Sequence, residues 1–362
     1  MTAASPTVDD LQKAVADFKD PETGLSAAGQ KQIRDLAVNG KTATLTLALS
    51  THSAPLWNET RERLADFIRA RVPGIAEVKI NSAIHERLPQ RLGQVGLTAK
   101  SVIAVGSGKG GVGKSTIAAS LALGLKRAGS KVGLLDTDVY GPSIPHLLGL
   151  ESAPPPAVVD GKVPPVLFDD MPVMSMGFLL PPGKAVVWRG PMLHSYVTQF
   201  LRDVAWGNLD YLVIDMPPGT GDVALSLSQV LPVTGAVIVC TPQEVALLDA
   251  TRAISMFGTV NIPILGMVEN MSGFICESCG KRYDIFGSGG ARAKAEELGV
   301  PFLGEVPLNM QIRTAGDAGD MLSNFQNPIV GPALEKIVSS LVRNLAQTAA
   351  ASPPMMQLPV LK

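Results

Sequence analysis

The sequence predicts an α/β protein of the P-loop NTPase class, with a mostly parallel sheet covered by helices on both faces and a small N-terminal α/β domain. Three observations predict it. From about residue 101 to 349, short β-branched runs alternate with longer Ala/Leu-rich segments of helical spacing, the pattern of a sheet whose crossovers are helices. The first strand and helix of that series enclose Gly108-Lys109-Gly110-Gly111-Val112-Gly113-Lys114-Ser115-Thr116, which fits the phosphate-cradling pattern G-x-x-x-x-G-K-S/T in the context it requires. Ahead of it, residues 7 to about 86 carry a separate set of helix and strand patterns.

Taken in order, 8–18 has helical spacing, 42–50 (TATLTLALS) alternates like a half-buried strand, 58–72 is a charged amphipathic helix and 77–84 (EVKINSAI) is a second strand. The polar stretch 87–100 reads as a linker. Strands are then expected at 101–106, 131–136, 211–216, 235–241, 262–269 and 302–306, and helices at 114–128, 223–231, 244–258, 289–298 and 331–349. Proline-rich 151–165 should be an irregular insertion, and 351–362, with Pro353-Pro354, a flexible tail. The domains expected are therefore 1–86, a linker at 87–100, a nucleotide-binding domain at 101–350 and the tail.

With 362 residues, 46% hydrophobic and 17% charged, the chain can build two domains and a large core. A net charge of −1 offers no basic field for nucleic acid. No apolar run is long enough to span a membrane, and the start, MTAASPTVDD, lacks the pattern of a signal peptide. Three cysteines make no disulfide framework in a chain of this length, so a reducing cytoplasm is the expected location.

The glycines of the 108–116 run let consecutive N–H groups turn toward one anion, and the following helix adds its positive end. Lys114 should reach the β- and γ-phosphates of ATP, and Ser115 should ligate Mg²⁺. The apolar run 209–215 ends in Asp215, placed to hold the Mg²⁺ directly or through water. Glycine-rich 216–222 (MPPGTGD) can rearrange when the γ-phosphate leaves. A second strand ends in Asp136-Thr137-Asp138; Asp138 is assigned to orient the attacking water, the alternative being that these acids cap the next turn. Asn270, after another strand, can pair a donor and an acceptor with an adenine edge, or be a turn residue.

Cys276-Glu277-Ser278-Cys279 sits in a polar, glycine-flanked segment. A redox dithiol wants a helix start after the pair, which Gly280-Lys281-Arg282-Tyr283 does not resemble. Zinc and iron–sulfur clusters both want four ligands, and the four histidines (52, 85, 146 and 194) lie far upstream. A two-fold dimer would supply the thiolates as two plus two. Cys240 lies within an apolar strand and reads as a packed core thiol.

The second loop lysine, Lys109, gives the run a deviant form that resembles the MinD/ParA/NifH group of dimerising ATPases, in which this lysine reaches the partner's nucleotide. Further motifs make the resemblance specific: Asp136 to Ser143 (DTDVYGPS), Trp188 to Met192 (WRGPM), Asp215 to Asp222 (DMPPGTGD), Val268 to Ser272 (VENMS) and Cys276-x-x-Cys279. With these the chain resembles the Mrp/ApbC family of P-loop iron–sulfur cluster carriers over about residues 100–345. The resemblance implies a homodimeric, Mg-dependent ATPase in which Lys109, Lys114, Asp138 and Asp215 serve hydrolysis. It also implies a labile 4Fe–4S cluster held by Cys276 and Cys279 of both subunits and passed between cluster donors and apo iron–sulfur proteins. Residues 20–25 (DPETGL) give the first domain the look of the iron–sulfur-assembly small domain. Its loop 51–55 (THSAP) carries no cysteine, so docking or regulation is expected there in place of cluster binding. The rivals are a MinD/ParA-like positioning ATPase, for which no basic tail or patch is visible, and a zinc-stapled ATPase scaffold.

Overall fold

The structure is a computed structural model describing residues 5–179, 190–219, 221–276 and 278–351. Trp188 and Arg189 of the WRGPM motif, Thr220 of DMPPGTGD, Glu277 between the paired cysteines and the expected tail from residue 352 lie outside the described residues. By contacts the chain divides into two compact units, Met1–Arg87 with Val342–Lys362, and Leu88–Leu341.

The smaller unit opens with α1 (Val8–Val15), capped reciprocally by Thr7 and Asp10. Three strands follow, β1 (Ile33–Asn39), β2 (Thr42–Leu49) and β3 (Glu77–Ile84), with α2 (Trp57–Arg71) between the last two. β1 pairs antiparallel with β2, and β2 runs parallel to β3 in unbroken register from Thr42↔Glu77 to Leu49↔Ile84. The strand β1 has no counterpart in the sequence reading. Asp35 sits at φ +55° and the register slips between Arg34 and Ala37, so a bulge erases the alternation that would have marked it. Leu11, Leu45, Leu47, Leu64 and Ile68 form the core of this unit. The acid of the DPETGL motif is structural: Asp20 is buried and accepts hydrogen bonds from Thr23 N, Thr23 Oγ1 and Gln32 Nε2.

In the larger unit, the polar stretch expected to be a linker contains β4 (Arg91–Leu92), which turns back through Gly93 and Gly96, both at positive φ, onto the start of β5 (Leu97–Gly106). Then come α3 (Lys114–Ala128), β6 (Val132–Asp136), α4 (Ile144–Leu147), β7 (Val166–Phe168), β8 (Met171–Ser175), α5 (Gly190–Asp203) and β9 (Leu209–Asp215). The chain continues through α6 (Gly221–Val230), β10 (Gly235–Cys240), α7 (Glu244–Thr259), β11 (Ile264–Ile275), β12 (Arg282–Tyr283), α8 (Gly290–Leu298), β13 (Phe302–Leu308), α9 (Met310–Asp317) and α10 (Val330–Ala351). The sheet runs β12-β11-β10-β5-β9-β6-β8-β7, with β13 also on β11 and β4 on β5. Its interior pairings are parallel; antiparallel ones are confined to β4–β5, β7–β8 and β11–β12.

All residues of β6, β9 and β10 are buried, as strands covered on both faces must be. Their carboxyl ends lie level, with Val105 opposite Asp215 and Asp215 opposite Asp136. An open parallel sheet presents its ligand site at that edge.

Candidate functional site

The glycine run leaves β5 and enters α3, and its glycines are required by their surroundings. A Cβ on Gly108 would collide with the carbonyl of Asp249, and one on Gly113 with Nδ2 of Asn270. Gly111 and Gly113 also adopt left-handed φ values of +79° and +81°. Gly113 is the N-cap of α3 and no side chain caps that end, so the first N–H groups of the helix remain directed at the loop, where an anion is favoured. Ser107 Oγ donates to Lys109 O at 2.9 Å and steadies the loop's near side.

Lys114 is buried, and its ammonium donates to Asp215 Oδ1 at 2.5 Å and to Ser115 Oγ at 3.2 Å. Asp215 is wholly buried, and its second oxygen, Oδ2, has no hydrogen-bond partner. Burial raises its pKa above the ordinary carboxylate value, against the opposing charge of Lys114. An orphaned carboxylate oxygen beside the Ser115 hydroxyl is an oxygen donor set of the kind Mg²⁺ takes.

Asp136 and Asp138 divide the work expected of acids after β6. Asp136 is fully buried and accepts from Asp138 N (3.0 Å), Ile144 N (3.3 Å) and Ser175 Oγ (3.0 Å). Burial and the neighbouring Asp215 push its pKa up to about 8. Asp138 is half-buried and its Oδ1 accepts from Tyr140 N and Gly141 N, so both acids brace the turn. Asp138 in addition lines a cavity of about 260 Å³ with Lys109, Lys114, Ser115 and Pro218.

A second cavity, of about 280 Å³, is lined by Asn270, Met271, Pro307, Asn309, Ile312 and Arg313, and shares Gly113, Thr116 and Leu147 with the first. Asn270 does reach this site, but it also does something the sequence did not announce: Nδ2 donates to Val112 O at 2.9 Å and ties β11 to the P-loop. Ser175, Asn309 and Arg313 are further residues that sequence reasoning missed, since no motif marks them, and Met271 was marked only as part of the VENMS run with no role of its own.

Cys276 and Cys279 lie at the turn between β11 and β12, in which Phe274 pairs with Tyr283 and Ile275 with Arg282. Cys276 N donates to Lys281 O (3.0 Å), and Gly280 N to Cys276 O (2.8 Å). Cys276 is half-buried and Cys279 exposed. A hairpin turn is not the helix N-terminus that a thioredoxin-type pair needs. Among the described residues no group of three or more His, Cys, Asp or Glu could hold a metal ion. Cys240 is buried with Sγ 3.8 Å from Val268 O, and burial, aided by Glu269, pushes its thiol up to about 12. No helix among the described residues is long and apolar enough to cross a membrane.

Residues 98–345 match the family model described as NUBPL iron-transfer P-loop NTPase, and residues 9–81 match that of an iron–sulfur cluster assembly protein. Among curated proteins, the chain is 44% identical over 98% of its length, and 99% of the other's, to the iron–sulfur cluster carrier protein of Deinococcus radiodurans. It is 43% identical to that of Escherichia coli strain K12, covering 82% of this chain and 80% of the other. Among solved structures, a nucleotide-binding protein from Archaeoglobus fulgidus in complex with ADP is 42% identical with a TM-score of 0.56, over 64% of this chain and 90% of the other. The cell division ATPase MinD of Pyrococcus furiosus, at 21% identity and a TM-score of 0.50 over 66% of this chain and 97% of its own, shares the fold.

Proposed function

Since this chain belongs to the NUBPL-type iron-transfer P-loop NTPases and carries an iron–sulfur-assembly domain ahead of the NTPase domain, we propose that it is an iron–sulfur cluster carrier powered by ATP hydrolysis. The observation that carries the reading is the placement, on one sheet, of a P-loop with its acids and of an accessible cysteine pair. The cargo is a 4Fe–4S cluster, held by Cys276 and Cys279 of two subunits and accepted from donors for delivery to apo-proteins in a reducing cytoplasm. Thiolates at a hairpin turn near solvent suit a cluster that must leave again.

ATP places its phosphates in the P-loop cavity and its base in the adjoining one, beside Asn270 and Met271. The backbone of Gly108 to Thr116 cradles the phosphates, and Lys114 neutralises charge as it develops on the γ-phosphoryl group. Ser115 and Asp215 would hold Mg²⁺, which would supply positive charge beside the phosphates. Asp138 orients the attacking water. Lys109 completes the site of the partner subunit, so hydrolysis depends on the dimer. Residues 1–86 dock or regulate, and the NTPase domain follows them.

Anaerobic reconstitution with iron and sulfide tests the reading. Wild type should give a dimer with broad absorbance near roughly 400 nm, from sulfur-to-iron charge transfer at a thiolate-bound cluster, and acid-labile sulfide. The Cys276→Ser/Cys279→Ser double variant should give neither while still binding ATP. Stoichiometric zinc without sulfide would make the protein a zinc-stapled scaffold.

A further inference from the structure

One strand touches both sites. In the middle of β11, Asn270 holds the Val112 carbonyl, and the absence of a Cβ on Gly113 is what admits its side chain. This hydrogen bond ties the P-loop to β11. The next residue, Met271, lines the base-side cavity. The same strand ends at Ile275, directly before Cys276.

Between these points the strand is irregular. Met271 (φ +59°) and Gly273 (φ +69°) are both left-handed, and the register with β13 breaks between Asn270 and Phe274. A methionine held there is strained backbone. Side chains replace the missing ladder. Ser272 Oγ lies 2.5 Å from Glu269 Oε1 and 3.0 Å from Glu305 Oε2. Glu269, wholly buried, also accepts from Gly289 N and Ala291 N at the start of α8. From the returning arm of the hairpin, Arg282 donates to Asp284 Oδ1 (2.9 Å), Glu305 Oε1 (3.3 Å) and Ser272 O (3.4 Å). The bulge is thus anchored to α8 on one side and, through one guanidinium, to the cysteine hairpin on the other.

We propose that the Met271–Gly273 bulge transmits nucleotide occupancy to the cysteine pair, with Arg282 as the positioning residue that makes the hairpin follow. A nucleotide bears on Val112, Asn270 and Met271. The segment that yields is the one without ladder bonds, and Arg282 carries its displacement to the turn bearing Cys276 and Cys279. The link rests on the carrier reading for the identity of the cargo, but the thiols report on it without any cluster.

The test is the alkylation rate of each cysteine in the full-length, reduced, metal-free protein, resolved by mass spectrometry, with and without a non-hydrolysable ATP analogue and Mg²⁺. In wild type, nucleotide should change the rate at Cys276 and Cys279 by about fivefold or more, the low end of allosteric couplings. Buried Cys240 should stay unlabelled and serves as the internal control for folding. Arg282→Gln should bind the analogue with wild-type affinity, yet alkylate at one rate with or without it. If Cys240 becomes labelled in that variant, Glu305→Ala, which keeps the arginine and removes one of its partners, takes its place with the same expected loss. A wild-type response to nucleotide in the folded variant, or no response in wild type with the analogue bound, overturns the proposal. Responsive thiols in a protein that takes up no cluster would sink the carrier reading and leave the link standing; a loaded cluster with unresponsive thiols would do the reverse.

Discussion

Asp136 and Asp215 end neighbouring strands, face each other in register and are both buried. Asp136 receives only hydrogen-bond donors among its named partners, which favour its anion, yet burial and the adjacent carboxylate outweigh them and lift it to about 8. An acid whose folded pKa exceeds the ordinary value of 3.8 binds its proton more tightly folded than unfolded. Its contribution to stability is complete below about 4, declines as pH rises, and is gone above about 8. Asp215 is shifted in the same direction. Denaturant unfolding of wild type at successive pH values should therefore show stability falling between these limits, and Asp136→Asn, which cannot titrate, should flatten the fall. A variant with the wild-type slope would mean that the titration lies elsewhere. The sequence marked Asp136 as a member of an acidic pair after a strand. It could not reveal that Ser175, from the short strand MPVMS with one β-branched residue, would be one of its donors.

At the scale of elements, the P-loop depends on β11 as much as on its own glycines. Gly113→Ala would add a Cβ against Asn270 Nδ2 and force alanine into the left-handed region, at about 1–2 kcal/mol for the backbone alone. Calorimetric titration should show ATP binding weakened by about tenfold or more, since each 1.4 kcal/mol is a factor of ten. Unchanged affinity would mean that the Asn270 contact gives way at no cost to the loop. The strands and helices that build this region were legible because each is a long periodic run with buried faces: α3 begins and ends where its spacing predicts, and β6, β9 and β10 differ from expectation by a residue or two. Among the missed elements, β1 with its bulge and the short β7–β8 pair joined through Asp169 at φ +51° have broken or local signals, and the helices α4, α5 and α9 were missed as well. For the cysteines, the sequence supplied their spacing, while the hairpin that presents them comes from pairings with β12, a strand of two residues.

The whole molecule has separate apolar cores for its two units. One is built on Leu45, Leu64 and Ile68, the other on β5, β9 and β10 with their helices. Leu64 is fully buried, and Leu64→Ala should cost about 2–5 kcal/mol in the smaller core. Calorimetry should place that loss in the transition of the smaller unit, with ATP affinity unaltered; an equal loss of ATP affinity would show the two cores to be energetically one. The two-part organisation could be read from the interruption of pattern at 87–100. That part of this polar stretch would join the larger unit as a hairpin could not, because its pairing depends on two glycine turns and a strand of only two residues.

The ammonium of Lys114 already has a counter-ion, Asp215, at 2.5 Å. An incoming polyanion that draws the ammonium toward itself weakens this pair and leaves a buried carboxylate less well neutralised. Inorganic phosphate or a bare triphosphate meets this penalty in full, whereas a metal–nucleotide complex brings a replacement cation with it. The site should therefore discriminate among phosphates by the cation each carries, and metal-free ATP should behave as a poor ligand even though no side chain caps the start of α3.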